Sequence, residues 1–246
     1  MVSELKRKVT IMPKQYDKQT ILEMCDQAIQ RPASFYSQDF INYRGICTDV
    51  QIPYTEIIAE YLIDHLPVFT SGIPTIHRTA SYHAPTHKGK KNPVSNRTEE
   101  LIAIDLFNFS QKNGYYEKIG KILDYQIPLK NTQHDSAGKI DLIAYDGNTL
   151  HLLELKKPDA PETMLRCLLE IYTYLLTVDT AKLLADFDLS PDTAVKANPF
   201  VFENSLPYQE YFDERPNLKK LMHLLDCEPL FLRKFSDKYE VFDYIK

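Results

Sequence analysis

No run of apolar residues in this chain is long enough to cross a bilayer, and its start, MVSELKRKVTIMPKQ, lacks the apolar core of a secretory signal. A soluble, cytoplasmic protein without membrane contact is expected. Cysteines are few and scattered. Cys25, Cys47, Cys167 and Cys227 form no CxxC pair, which argues against a disulfide framework or a cysteine-based zinc site and fits reduced thiols. An excess of basic residues is lacking too: 29 Lys and Arg stand against 34 Asp and Glu, a formal net charge of −5. Affinity for phosphate comes mostly from Lys and Arg, so any nucleic-acid role has to rest on local basic patches. There is no internal repeat and no low-complexity tract. What remains is 246 residues, 43% hydrophobic and 26% charged, enough for one large domain or a core with a sizeable extension.

The most informative stretch is Gly138 to Pro158, GKIDLIAYDGNTLHLLELKKP. Two short apolar runs, IDLIAY and LHLLEL, flank Asp146, Gly147 and Asn148, residue types that tolerate the positive φ of a tight turn, so the stretch reads as a β-hairpin. With Gly147 and Asn148 at the turn centre, Asp141 falls opposite Glu154. With Asp146 and Gly147 there, it falls opposite Leu152. Side chains alternate with period two, so either register puts Asp141, Glu154 and Lys156 on one side of the sheet.

Two carboxylates and an ammonium are an unusual load for apolar strands, because buried charges need a partner or a metal. Carboxylates on adjacent strands make a hard oxygen site suited to Mg²⁺, which takes only one or two of them. A lysine just beyond the second acid can orient and activate a water or stabilise charge on a phosphate. The plain alternative is a surface salt-bridge cluster.

Asp141, followed after twelve residues by Glu154-Leu155-Lys156, resembles the PD-(D/E)xK nuclease superfamily, with its restriction-endonuclease-like fold. The resemblance covers the hairpin and, more loosely, the chain from about Arg97 onward. It implies that Asp141 and Glu154 hold Mg²⁺ or Mn²⁺ with the backbone carbonyl of Leu155, that Lys156 positions the attacking water, and that a helix glutamate assists. The nucleic-acid substrate it implies is DNA.

Along the chain, Asp17 to Gln30 and Thr55 to Leu66 have helical spacing, with Thr55 a candidate N-cap. The aromatic-rich segment between them lacks a period. Val68 to Asn96, with Pro74, Pro85 and Pro93, reads as a long loop or lid. Its His77, His83 and His87 have no cysteine beside them, and no HxxxH pair among them sits on a predicted helix, so a zinc site is not indicated. Its basic run gives Lys88, Lys90 and Lys91, which with Arg97 are candidates to hold a nucleic-acid backbone. A helix follows from Arg97, capped by Thr98 or Ser95. Glu99 and Glu100 suit its positive end, and helical spacing does not choose which of them assists at the site.

Lys121 to Lys130 reads as the first core strand. After the hairpin, Glu162 to Val178 is the strongest helix, and Arg166, Glu170 and Tyr174 form a stripe four apart. Glu170-xxx-Tyr174 is similar to a Gln-xxx-Tyr pair of the RecB branch of the family, with Glu in place of Gln. An i,i+4 surface network, with Arg166 paired to Glu170, is the favoured reading. Strands at Ala194 to Glu203, Pro229 to Lys234 and Tyr239 to Tyr244, with one helix from Pro207 to Leu225, complete the pattern.

The fold expected is α/β, a restriction-endonuclease-like mixed β-sheet core flanked by helices over residues 91–246. A mainly helical or irregular extension with a basic loop occupies residues 1–90. The function expected is a metal-dependent nuclease hydrolysing phosphodiester bonds. Its rivals are a non-catalytic nucleic-acid- or protein-binding module on the same fold and a hydrolase of a smaller phosphate compound. Assembly into a homo-oligomer is left open.

Overall fold

The hairpin between residues 138 and 158 forms, and the sheet is arranged about it. The computed structural model describes residues 15–92, 94–135, 137–236 and 238–243. Its helices are α1 (Lys18–Ala28), α2 (Tyr54–Asp64), α3 (Leu66–Ser71), α4 (Thr98–Asn113), α5 (Met164–Thr177), α6 (Thr180–Asp186), α7 (Leu206–Phe212) and α8 (Pro216–Leu224). Its strands are β1 (Lys121–Pro128), β2 (Lys139–Tyr145), β3 (Thr149–Lys156), β4 (Ala194–Phe202), β5 (Leu230–Phe235) and β6 (Lys238–Phe242). They make one mixed six-stranded sheet in sequence order. Neighbours from β1 to β3 are antiparallel, β3 to β5 are parallel, and β6 returns antiparallel. Parallel neighbours need crossovers, which α5 with α6 and α7 with α8 supply. Among the described residues no helix is long and apolar enough to cross a membrane.

The hairpin takes the first of the two registers. Asp146 donates its N–H to the Thr149 carbonyl at 3.3 Å, and Leu142 pairs with Leu153, which brings Asp141 opposite Glu154. Gly147 supplies a φ of +106°, and the Asp146 Oδ1 accepts the N–H groups of Asn148 and Thr149, each at 2.8 Å. The turn is thereby determined locally, and period two does the rest. Leu150 and Leu152 join the apolar cluster beneath α5, whereas Leu153 and Leu155 join the one beneath α4.

Helices α1 to α3 and the turns between them form a layer over α5. Ile21, Phe35, Ile57, Leu62 and Phe69 share one buried cluster with Leu165, Leu168 and Leu169 of α5 and with the sheet. The aromatic-rich segment becomes two 3₁₀ turns, Pro32–Ser37 and Asp39–Asn42, that bury Phe35, Phe40 and Ile41. The expected long loop begins instead with α3, and its remainder is anchored: Tyr82 N–H donates to Asp186 at 2.8 Å, Ala84 N–H to Asp124 at 3.1 Å and Gly89 N–H to the Tyr125 hydroxyl at 3.2 Å.

Three local expectations differ. Thr55 lies inside the first turn of α2, behind Pro53, and caps nothing. Helix α4 begins after Arg97 with no side-chain cap, and Ser95 Oγ accepts only the Arg97 N–H, at 3.2 Å. The single helix read from Pro207 to Leu225 is two, because Pro216 has no N–H to continue a helix and sits instead in the first turn of α8.

The start of α8 is capped from a distance. Buried Glu56 accepts the N–H groups of Asn217 and Leu218, each at 2.9 Å, where Arg215 offers no side-chain cap. Glu56→Ala is therefore expected to destabilise the protein by about 3 kcal/mol, the cost of leaving buried donors unsatisfied. Urea unfolding measures it, and a loss below about 0.5 kcal/mol would show that water replaces the carboxylate.

Candidate active site

Glu154 and Lys156 share the parity of Leu152 and so leave β3 toward α5. The Lys156 ammonium donates to Glu154 Oε1 at 2.8 Å and to Glu170 Oε2 at 3.0 Å. Tyr174 donates its hydroxyl to Glu170 Oε1 at 3.0 Å, and Arg166 Nε stands 3.5 Å from Glu170 Oε2. The stripe read as a surface network is consequently turned inward: Glu170 and Tyr174 are 8% and 5% exposed. The Arg166 to Glu170 pair exists, but Glu170 is also the second anion that a buried lysine recruits. A Cβ at Gly138 would run into the hydroxyl end of Tyr174, so a larger residue there would force the Tyr174 ring to shift.

Asp141 faces Glu154 across the ladder and lines an open cleft of about 380 Å³ between the start of α4 and the sheet. Gln126 Nε2 donates to its Oδ1 at 2.8 Å, and the Leu155 N–H donates to its Oδ2 at 3.0 Å. Both donors are neutral. Burial pushes the Asp141 carboxyl up to about 7, Lys156 opposing the rise and Glu99 adding to it. Glu154 is pushed well up by burial and by Asp141 beside it, against the pull of Lys156. Burial works against the charge on Lys156, but Glu154 and Glu170 outweigh it and raise the ammonium well above its ordinary range. For Glu170, burial is likewise outweighed, here by Lys156 and Arg166, and its carboxyl is lowered.

Helix α4 brings both glutamates to the cleft wall, with different engagements. Glu99 Oε1 accepts the Lys157 N–H at 3.1 Å, just beyond the end of β3, and its charge is felt at Asp141. Glu100 is turned to Arg97, 3.4 Å away. Of the four candidate basic residues only Arg97 lines the cleft, and Lys157 joins it there. Lys88, Lys90 and Lys91 are exposed in a segment tied to Asn108 and Tyr125, and Lys91 pairs with Asp105. The three loop histidines are dispersed: His77 bonds Asp179 at 2.7 Å, His83 lies against Phe187, and His87 bonds Asp124 at 2.7 Å while stacked on Tyr125.

Gln126 and Lys157 were not anticipated. Lys157 was legible as a cation next to the Glu-Leu-Lys end of β3. Gln126 was not, because nothing in KILDYQIPLK marks it as turned toward Asp141.

Among the described residues no group of three or more His, Cys, Asp or Glu forms a ready metal cage. Mg²⁺ takes only one or two protein carboxylates, so the pair to test for fit is Asp141 and Glu154. Glu154 Oε2 is buried and has no protein partner, and a lone buried carboxylate oxygen needs a proton, a water or a cation. The pair could accept a divalent ion on chemical grounds.

The chain matches no family model, no curated protein and no solved structure.

Proposed function

We propose that this protein is a Mg²⁺-dependent nuclease on a restriction-endonuclease-like core, hydrolysing phosphodiester bonds of nucleic acid, DNA on the family resemblance. One observation carries the reading: Asp141 and Glu154 face each other across the hairpin beside an open cleft, and Glu154 Oε2 is buried without a protein partner. Asp141 and Glu154 would hold Mg²⁺ or Mn²⁺, with the Leu155 carbonyl and Glu99 assisting. The ion, when bound, supplies Lewis-acid stabilisation of charge developing on the phosphoryl group. Lys156 is held protonated by Glu154 and Glu170, so it serves as a fixed cation and N–H donor, not as a base. Arg97 and Lys157 would draw the substrate backbone into the cleft.

A second reading, the non-catalytic binding module, is favoured by the engagement of Lys156 with two carboxylates. Incubating the full-length protein with single- and double-stranded DNA and RNA in Mg²⁺, Mn²⁺ or EDTA separates the two. DNA cleavage that needs the divalent ion is expected. Binding without cleavage of any substrate would support the module and sink the enzyme.

A further inference from the structure

Gln126 is the one residue of β1 with a left-handed backbone, φ +51°. A side chain bearing a Cβ is disfavoured there, and outside glycine such geometry persists only where the surroundings hold it. The packing changes sides across it, and the paired residues Leu142 and Ile140 of β2 change with it. Residues two apart on a regular strand share a face, yet Tyr125 packs into the cluster beneath α4 and Ile127 into the one beneath α5. The switch occurs at the point where β1 passes Asp141, since Tyr125 pairs with Leu142 and Ile127 with Ile140.

A left-handed residue that merely redirects the strand would be made with less strain by glycine, as at Gly147 in the hairpin turn. The chain carries glutamine instead, and its side chain has a definite engagement. It lines the cleft, and its Nε2 lies 2.8 Å from Asp141 Oδ1. The Leu155 N–H holds the other oxygen at 3.0 Å. Two donors on two oxygens fix the rotation of the carboxylate, and neither adds a charge that would repel a cation.

We propose that Gln126 is a positioning residue for Asp141: its strained backbone aims the amide so that the carboxylate is presented to a divalent cation in one orientation. This rests on the metal-dependent reading above. It separates two quantities that a purely structural residue would move together, because removing the side chain relieves the backbone while loosening Asp141.

The test uses the full-length protein, its Gln126→Gly variant, thermal unfolding in EDTA and calorimetric titration with Mg²⁺. The variant should melt at the same or a higher temperature than wild type. Its Mg²⁺ dissociation constant should rise by at least about tenfold, the usual effect of removing a group that orients a ligand. Gln126→Asn tolerates the left-handed backbone but is one methylene too short for the same contact, and it should show the same loss of affinity. Unchanged Mg²⁺ affinity in both variants would overturn the positioning role and leave the nuclease reading standing, as would Gln126→Gly melting well below wild type in EDTA with unchanged affinity. A wild-type protein that binds no Mg²⁺ would remove both.

Discussion

Replacing Lys156 by methionine is expected to abolish divalent-dependent cleavage and to destabilise the fold by about 3–5 kcal/mol, the range for removing one partner of a buried ion pair. The side chain is 7% exposed and is shared by Glu154 at 2.8 Å and Glu170 at 3.0 Å. Methionine fills similar volume, so the loss is electrostatic and not a cavity effect. Two carboxylates would be left in one enclosed space with Asp141 adjacent, and they would take up protons to remain there. The variant should accordingly regain stability as pH is lowered, a recovery that urea unfolding across pH reads directly. Adding Glu170→Gln should restore much of the stability while activity stays lost, because it removes one of the two unbalanced acids without returning the Lys156 ammonium. A Lys156→Met protein as stable as wild type would mean that water, and not Lys156, compensates the acids.

For Asp141→Asn the expected effect on stability depends on both pH and metal. Burial raises the Asp141 carboxyl to about 7, well above its value in an unfolded chain, and Glu154 is raised in the same sense. Between about pH 4 and 7 the folded metal-free protein therefore keeps a proton that the unfolded chain gives up. The stabilisation is complete below about pH 4 and is lost as pH rises through about 7. Asparagine never acquires the charge, so in EDTA the variant should match wild type near pH 5 and exceed it near pH 8. The asparagine can still be accommodated, because the Gln126 amide can flip to present its oxygen. Mg²⁺ acts in the opposite direction. At roughly 100 times its dissociation constant the ion should stabilise wild type by about 2.7 kcal/mol and the variant by almost nothing. Thermal melts at the two pH values, with and without Mg²⁺, measure all four states. Equal Mg²⁺ stabilisation of variant and wild type would place any cation elsewhere.

Much of this architecture was legible because it is local. The turn residues Asp146, Gly147 and Asn148 mark the hairpin, and the two-residue period of a strand puts Asp141, Glu154 and Lys156 on one side in either register, of which the structure takes the one with Asp141 opposite Glu154. The apolar content of α5 likewise marked the helix that covers that face. The departures arise where contacts join residues far apart in the chain. Pro216 splits α7 from α8, yet the carboxylate that starts α8 comes from Glu56. Helical spacing left Glu99 and Glu100 equivalent, and only the placement of α4 over the sheet brings Glu99, not Glu100, to the Lys157 N–H.

The amino-acid sequence by itself determined the hairpin and the shared side of its two acids and lysine, because short-range turn chemistry and strand periodicity dictate them. Only the tertiary structure decided that Glu170 turns inward to Lys156 and that Gln126 adopts a left-handed backbone against Asp141. The reason is physical: a buried charge takes its partner from whichever element packs against it, and a strained backbone is held by surroundings that no local pattern encodes.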